Sequence, residues 1–491
     1  MPLALFFFYG SVTVLAFGPL AFGLSLPVGA GSGFLAVAAL LWCLVLLGRT
    51  VRLSLPLRIA SAHPLDGAST AELGHLSSLA ARHFRSRAPE AVVLWDRPEA
   101  RIVERASWLG LRRGRPVLAV HPILLRHLGA DQLLALVAAD MLLSSEDRDA
   151  KVRRADRVHR TLSLVLEGQG PKRGIAGRLL ARFVRGPMAR RRESAFGSVL
   201  EADVEASRDA GADTLCEALA GSAVLADAWR KFLRRYVPDD HRMVLYRPEG
   251  LVYGFGEYLS ARRDAVTAEV DKEAAYAARS AWTAFPPVGT RLDALAVDAQ
   301  FQHTENELEP ASEMVRNLPE HIAAFEGSRL RPGTRPVDWD TWFAIFLWDK
   351  ARPGARKTLE AMRVVSGRSE RLLGWWFDEI AAGRGAVATR DLKNAGMPVD
   401  GFLSVLRLAA LQSESVRLKL HWDREFEWVD AEGRGTGLES FPERLDILKP
   451  ESAAEIRWEL DLIGLDPDAG LDVETPWAKV EAHRELLRES G

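Results

Sequence analysis

The side chains that could hold a catalytic metal stand at spacings in this sequence that do not suit a zinc site. Two histidines at positions i and i+4 of a helix share one face and converge on one zinc ion, which then activates water for hydrolysis. None of the eleven histidines is followed by another histidine four residues later. His121 and His127 are six residues apart, which places them about 120° apart around a helix and not on one face. The sequence therefore contains no helical histidine pair for zinc.

Other clusters of chemically active residues are weaker candidates. The tripeptide 239–241 (Asp-Asp-His) and the acidic run of Glu305, Glu307 and Glu309 beside His303 lie in hydrophilic stretches. Charge clusters of this kind are usually solvated surface, so they are poor metal sites. The sequence also lacks a Gly-x-Ser-x-Gly elbow and a P-loop, which excludes the common serine hydrolases and nucleotide-binding folds that use them.

One carboxylate, Asp140, stands out because it lies in an almost wholly apolar helix predicted over residues 130–144. It could act as the general base of a hydrolase or serve as a hydrogen-bonded structural carboxylate. The structural interpretation is favoured, because a carboxylate buried on an apolar helix normally needs hydrogen-bond partners. Burial would raise the pKa of Asp140 in either case.

The composition is that of an ordinary globular protein, and 491 residues are enough for two or three domains. Basic and acidic residues nearly cancel, at 64 against 66, so the whole molecule is not a polyanion binder. The only cysteines, Cys43 and Cys216, exclude a disulfide scaffold and a cysteine-rich metal site. Arginine far exceeds lysine, which is typical of a GC-rich bacterial genome.

The first 48 residues carry no charged side chain. A membrane-spanning helix needs about 20 apolar residues, so this stretch predicts two such helices, near 3–24 and 34–47. Basic residues begin at Arg49, directly after the second helix, which predicts a bacterial inner-membrane protein with the bulk of its chain in the cytoplasm. A cleaved signal peptide fits poorly, because no basic segment precedes the apolar run. A buried hydrophobic hairpin is the remaining alternative.

A basic segment over residues 172–192 has lysine and arginine but no acidic residue, and apolar side chains interleave with the charges. A basic amphipathic helix of this kind can lie on an anionic membrane surface. The candidate surface contacts are Arg178, Arg182 and Arg185. The alternative is a solvated helix face that pairs with acidic residues elsewhere.

The region that precedes and follows this basic segment shows a distinct order of elements. Periodicity predicts helices over 69–87, 122–128, 130–144 and 196–219, and strands over 91–95 and 116–120. A polar, arginine-rich turn is predicted between the two strands. The order is helix, strand, strand, two helices, insert and helix.

This order and three local motifs resemble the HtpX-type membrane zinc metallopeptidases, a family related to the CAAX prenyl endopeptidases. Residues 117–138 (VLAVHPILLRHLGADQLLALVA) resemble the stretch that leads to the family's His-Glu-x-x-His helix. Residues 199–203 (VLEAD) resemble its Glu-x-x-Ala-Asp element, and residues 285–295 (FPPVGTRLDAL) its later Pro-Pro and Arg element. The resemblance covers about residues 1–320 and implies a membrane hairpin followed by a zincin domain.

The zinc-binding positions that the resemblance implies are occupied by residues that cannot bind zinc. The two histidine positions fall on Ala139 and Leu143, the general-base glutamate on Asp140, and the third ligand on Val199. Zinc lowers the pKa of bound water by many units, to about 7, so a chain without these ligands lacks the nucleophile of the family. We therefore expect no zinc, no other cofactor and no catalytic residue.

A second domain is predicted after the linker at 326–336, because most of the fourteen tryptophans lie beyond it. Helices are predicted over 369–382, 389–395 and 399–412, followed by two alternating strands, 416–422 and 425–429. This order is winged-helix-like. Its basic and acidic residues nearly balance, which argues against nucleic-acid binding.

The sequence thus predicts a mainly helical α+β chain: a two-helix membrane hairpin (1–52), a degenerate zincin-like domain (53–325) and a largely helical domain with a small β-hairpin (326–491). We expect a membrane-anchored pseudopeptidase that binds a protein partner at the lipid bilayer and does not bind nucleic acid. Two alternatives stay open: an active membrane zinc metalloendopeptidase with other ligands, and a membrane-tethered sensor that uses the winged-helix-like segment. No feature of the sequence indicates an oligomeric state.

Overall fold

A computed structural model describes residues 9–11, 13, 62–168, 175–237, 246–268, 283–295, 309–329, 334–413, 415–423 and 425–473. The chain divides into two compact units. The first contains Met1–Lys231 and Arg263–Arg329, and the second contains Phe232–Arg262 and Leu330–Gly491. The sequence-based division at 325/326 assigned residues 232–262 to the first domain, whereas the structure places them in the second unit.

Short strands are interspersed among helices along the chain. In chain order, the elements begin with β1 (His63–Pro64), α1 (Ala71–His83), β2 (Val92–Leu94), β3 (Ala100–Glu104), β4 (Pro116–Val120), α2 (Pro122–His127), α3 (Ala130–Leu142), α4 (Ala150–Gly168), α5 (Ile175–Ala210) and α6 (Ala212–Tyr236). They continue with β5 (Tyr246–Pro248), α7 (Leu251–Ala261), α8 (Arg263–Ala268), α9 (Val288–Ala294), α10 (Leu318–Gly327), β6 (Arg335–Val337) and α11 (Trp339–Ser366). The last are α12 (Leu372–Ala381), α13 (Gly385–Asn394), α14 (Gly401–Gln412), β7 (Arg417–His421), β8 (Glu425–Val429), α15 (Phe441–Arg444) and α16 (Pro450–Leu462). The described part is mainly helical with small sheets, which confirms the mainly helical α+β class.

The first unit contains a four-stranded sheet in the order β1-β2-β4-β3. Strand β4 is an unbroken apolar run with every residue buried, which is typical of a central strand covered on both faces. It pairs with β2 in parallel and with β3 in antiparallel register. Strand β3 therefore lies at one end of the sheet.

The hydrogen-bond register shows which backbone groups of β3 point away from the sheet. Arg105 N donates to the Arg115 carbonyl, and His121 N donates to the Glu99 carbonyl. In an antiparallel pair such bonded positions alternate with unbonded ones. The N–H of Ile102, opposite Leu118, therefore points away from β4, toward the outer edge of β3.

Two long helices build much of the remaining first unit. Helix α5 extends over 36 residues through Pro187, and it ends where Gly211 adopts a φ of 88°. The sequence-based prediction began this helix only at 196 and continued it to 219. Leu180, Val184 and Met188 of α5 pack with Val158 and Leu162 of α4 in one buried cluster.

The membrane prediction is corrected by the structure. Among the described residues, no helix is both long enough and apolar enough to cross a bilayer. The longest helices, α5 and α11, carry charged side chains along their length, which a membrane interior would not accommodate. This finding contradicts the transmembrane hairpin and the inner-membrane location. The two predicted spans lie almost wholly outside the described residues, and the described Tyr9 packs its ring against Trp108 at a centroid distance of 5.7 Å.

The second unit is held together by aromatic packing. Phe232 contacts the rings of Trp339 and Trp422 at centroid distances of 5.6 and 5.9 Å. The indole Nε1 of Trp342 donates a hydrogen bond to the Tyr236 carbonyl at 2.7 Å. Because these contacts join residues far apart in sequence, segment 232–262 forms one core with the C-terminal helices.

The winged-helix-like segment does not present a basic helix. Helices α12, α13 and α14 are followed by β7 and β8, which pair antiparallel. Helix α14, third in this order, has no exposed residue along its length. Its one arginine, Arg407, makes a two-bond ion pair with Glu439. Helix α14 therefore offers no cationic face to a nucleic-acid backbone.

Candidate functional site

The positions that the resemblance maps to zinc ligands do come together in the first unit. Leu143, the C-cap of α3, packs against Val199 and Ala202 of α5 in one buried apolar cluster. Ala139, one turn earlier on α3, is also buried. We call the contact of Leu143 with Val199 and Ala202 the apolar seal. It joins the two helices that would carry metal ligands in the resembling family.

These residues do not fit a zinc ion. Zinc is held by thiolate, imidazole or carboxylate groups, and the side chains of Ala139, Leu143 and Val199 supply only carbon atoms. In the described ranges, no group of three histidine, cysteine, aspartate or glutamate residues is arranged to hold a metal. We derive no chemical step through zinc at this place.

Asp140 is committed to a structural contact. Its Oδ2 accepts a hydrogen bond from the backbone N–H of Ile102, the group that points to the outer edge of β3. Its Oδ1 lies 4.0 Å from Nη1 of Arg160 on α4. Burial raises the pKa of Asp140, while Arg160, Arg101 and the Ile102 N–H act in the opposite direction. The carboxyl group therefore ties α3 to the edge strand, as expected of a structural carboxylate.

A second buried carboxylate joins two of the motifs that carry the resemblance. Asp203 on α5 is fully buried and accepts two hydrogen bonds from Arg291 on α9, at 2.7 Å from Nε and 2.6 Å from Nη2. Burial opposes the charge of Arg291, but the adjoining Asp203 outweighs it and raises the pKa of the guanidinium. Two-bond pairs of this kind fix both position and orientation. The pair locks α9 onto α5.

The segment before α9 covers the apolar seal. The Phe285 ring packs against the cluster of Leu143 and Val199. The guanidinium of Arg101, on strand β3, stacks over the same ring at 3.7 Å from its centroid. Phe285 thus links the edge strand to the α3–α5 contact, and Phe285, the first residue of motif 285–295, covers the positions that the resemblance maps to zinc ligands.

A cleft remains beside this closed centre. It lies between strand β3 and helix α4 and reaches Phe285, with Ile102, Glu104 and Arg160 among its lining residues. A neighbouring pocket shares Glu104, Ser144 and Arg160 with the cleft and extends to Leu143. The apolar seal is therefore closed, while an opening remains along the edge strand.

The predicted membrane-surface arginines Arg178, Arg182 and Arg185 are exposed on α5. The apolar residues between them, Leu180 and Val184, are buried against α4. An interfacial helix must turn its apolar face to lipid, and here that face belongs to the core. Surface contact by the three arginines stays a prediction.

The sequence-based prediction missed the arginines of α4 that line the cleft and the neighbouring pocket. Arg153, Arg157 and Arg160 follow one another at i, i+4 and i+7, which places them on one helix face. This spacing was the available signal. It also missed that the partner of Asp140 is a backbone N–H, because such a partner leaves no trace in the side-chain pattern.

Comparisons with protein-family models, with curated proteins and with solved structures found no match to this chain.

The Asp203–Arg291 pair predicts a large stability loss when one partner is removed. Asp203→Asn leaves the buried guanidinium without a counter-charge, and we expect the free energy of unfolding to fall by about 3–5 kcal/mol. The double variant Asp203→Leu with Arg291→Met removes both charges and should lose clearly less. Asp209→Asn, at an exposed position of the same helix, is the control and should stay within about 0.5 kcal/mol of the wild type. Urea denaturation measures all three, and equal losses in the single and double variants would contradict the account.

The raised pKa of Asp140 predicts a pH-dependent stability. The unfolded chain ionises this carboxyl near its ordinary pKa of 3.8, and the folded protein ionises it only at a higher pH. The wild type therefore loses stability as the pH rises from about 3.8 to the folded-state pKa of Asp140. Asp140→Asn cannot ionise, and its side-chain oxygen can still accept the Ile102 N–H. Its free energy of unfolding relative to wild type should therefore rise as pH increases from about 3.8 and then level off. Denaturation at pH 3.5, 5, 6 and 7.5 measures this, and a relative stability that falls with pH would refute it.

Proposed function

We propose that this chain is a non-catalytic pseudopeptidase with a zincin-like first unit, and that it binds a segment of a protein partner. The observation that supports the proposal is the apolar seal. Leu143 and Val199 meet at the place where the resembling family would hold zinc, and both are buried. A centre filled by these side chains has neither a metal nor an activated water for hydrolysis.

The cleft beside the seal supports partner binding. Strand β3 lines it along Arg101–Glu104, and helix α4 forms the opposite side. The cleft combines apolar side chains such as Ile102 and Leu164 with arginines, a mixture suited to holding an extended peptide. Asp140 accepts a hydrogen bond from the Ile102 N–H on the outer edge of β3. This bond engages the carboxylate that could otherwise act as a general base. The other residues that line the cleft stay accessible.

Neither alternative function has a specific observation in its favour. A metallopeptidase would need a convergent set of metal-binding side chains, and the described ranges contain none. A nucleic-acid-binding sensor would need an exposed cationic face on α14, and that helix has no exposed residue. Protein binding without catalysis is the function that the geometry supports best.

The proposal predicts that filling the cleft weakens partner binding. It also predicts that neither the wild type nor any variant hydrolyses protein. Ser144 lines both the cleft and the adjoining pocket, so Ser144→Trp places a large ring there. Val364, 77% exposed in the second unit, gives the matched control Val364→Trp. The full-length wild type and both variants are used to capture partners from an extract and are then assayed for casein hydrolysis with added zinc.

We expect a partner that the wild type and Val364→Trp capture equally and that Ser144→Trp captures at least about ten-fold less, a difference of about 1.4 kcal/mol. Thermal unfolding must show that Ser144→Trp is folded. Zinc-dependent hydrolysis by the wild type would refute the non-catalytic part of the proposal. Equal capture by Ser144→Trp and the control would refute the role of the cleft.

A further inference from the structure

Four arginines surround one pocket beside the cleft. Arg153, Arg157 and Arg160 come from one face of α4, and Arg113 comes from the turn between β3 and β4. The side chains of Arg157 and Arg160 are only 15% and 18% exposed. We call these four residues the arginine pocket. Like charges at i and i+4 of a helix repel one another, so this arrangement costs stability unless anions face it.

The carboxylates that face the arginine pocket neutralise it only in part. Glu104 lies 3.7 Å from Nε of Arg113 and 3.7 Å from Nε of Arg157. Asp140 lies 4.0 Å from Arg160. These separations exceed the 2.7–3.2 Å of an N–H···O hydrogen bond. Arg157 Nε donates instead to the Gly110 carbonyl at 3.0 Å, and Arg153 Nη1 donates to the Ser145 carbonyl at 3.3 Å. A guanidinium has five N–H donors, so each of these arginines keeps further donor groups for an anion. Four cationic groups therefore face two carboxylates, Glu104 and Asp140.

Three other acidic side chains of the neighbouring elements, Glu99, Glu167 and Asp156, are already paired with arginines outside the pocket. Arg101 on β3 lies 2.7 Å from Glu99, and Glu167 on α4 lies 2.8 Å from Arg97. Asp156, on a different face of α4, accepts a hydrogen bond from Arg191 on α5 at 2.9 Å. These acids are therefore engaged elsewhere, and the cationic excess of the pocket stands.

We propose that the arginine pocket binds a carboxylate group of an acidic partner segment that lies in the cleft along β3. This inference rests on the proposed function, because it names the chemistry of the partner that the cleft would bind. Pocket and cleft share Glu104, Ser144, Arg157 and Arg160, so one extended segment can occupy both. The apolar lining at Ile102 and Phe285 holds the rest of such a segment. A free oxyanion such as phosphate would use the arginines but would leave this apolar lining uncovered.

The binding is tested with the full-length protein and defined probes. Fluorescently labelled hexaglutamate, the matched hexaglutamine and inorganic phosphate are titrated, the last as a competitor. We expect hexaglutamate to bind at least about ten-fold more tightly than hexaglutamine, because its carboxylates accept stronger, charge-assisted hydrogen bonds from the arginines than neutral amides do. Its affinity should fall as salt is raised. Inorganic phosphate should displace it only weakly.

The variants separate the arginine pocket from general surface charge. Arg153→Gln and Arg160→Gln should each weaken hexaglutamate binding about ten-fold. Arg178→Gln, which removes an exposed charge from α5, is the matched control and should bind like the wild type. Arg113→Gln is a second variant should the more buried Arg160→Gln fail to fold. Equal binding of the two peptides, or equal effects of Arg153→Gln and Arg178→Gln, would overturn the proposal.

The outcomes distinguish this inference from the proposed function. Phosphate that competes as strongly as hexaglutamate would assign the pocket to a free oxyanion and overturn the acidic-segment assignment. A partner lost in Ser144→Trp but retained in Arg153→Gln would overturn the acidic segment and leave partner binding intact. A third outcome is that Arg153→Gln weakens hexaglutamate binding while Ser144→Trp leaves partner capture unchanged. This result would support the arginine pocket and overturn the role of the cleft in partner capture.

Discussion

The packing of Leu143 against Val199 and Ala202 is the contact on which the arrangement of the first unit depends. In a zincin-like domain, a metal ion would join these two helices through bonds to both. Here the same junction is closed by apolar side chains, and fully burying a leucine or valine contributes about 1.5–3 kcal/mol. Two buried carboxylates fix the orientation of the elements around this contact. Asp203 on α5 binds Arg291 on α9, and Asp140 on α3 accepts the Ile102 N–H of the edge strand. The helix pair therefore needs no metal to stay together.

The hydrogen bond of Asp140 also limits the chemistry that this site can perform. A general base must reach the water or substrate that it deprotonates, and Asp140 is instead bound to the backbone of β3. With the centre closed, the features left for function are the cleft between β3 and α4 and the arginines that surround its end. An opening of mixed apolar and cationic character beside a centre filled by apolar side chains is suited to holding an extended chain.

Sequence patterns predicted the parts of this site whose structure depends on local periodicity. Strand β4 coincides with its predicted range because its five residues are all apolar, and α3 follows from its apolar period. Strand β3 was missed, since the charged residues of Ala100–Glu104 look like a turn when the sheet that buries Ile102 and Val103 is not known. The meeting of Asp203 with Arg291 depends on contacts across 88 residues of sequence, which no local pattern encodes. The two motifs at 199–203 and 285–295 contain the two partners, but nothing in their sequences indicates that they meet.

The central claim, that apolar packing stands where a metal would, is tested most directly by the zinc content of the full-length protein. Elemental analysis after dialysis against zinc-containing and then zinc-free buffer should find less than about a tenth of an equivalent per chain, since structural and catalytic zinc survives such treatment. The variant Ala139→His, Asp140→Glu, Leu143→His, Val199→Glu restores the ligand types and should retain zinc. About one equivalent of zinc in the wild type would contradict the account, because it would require a metal site that the seal of Leu143 and Val199 does not provide.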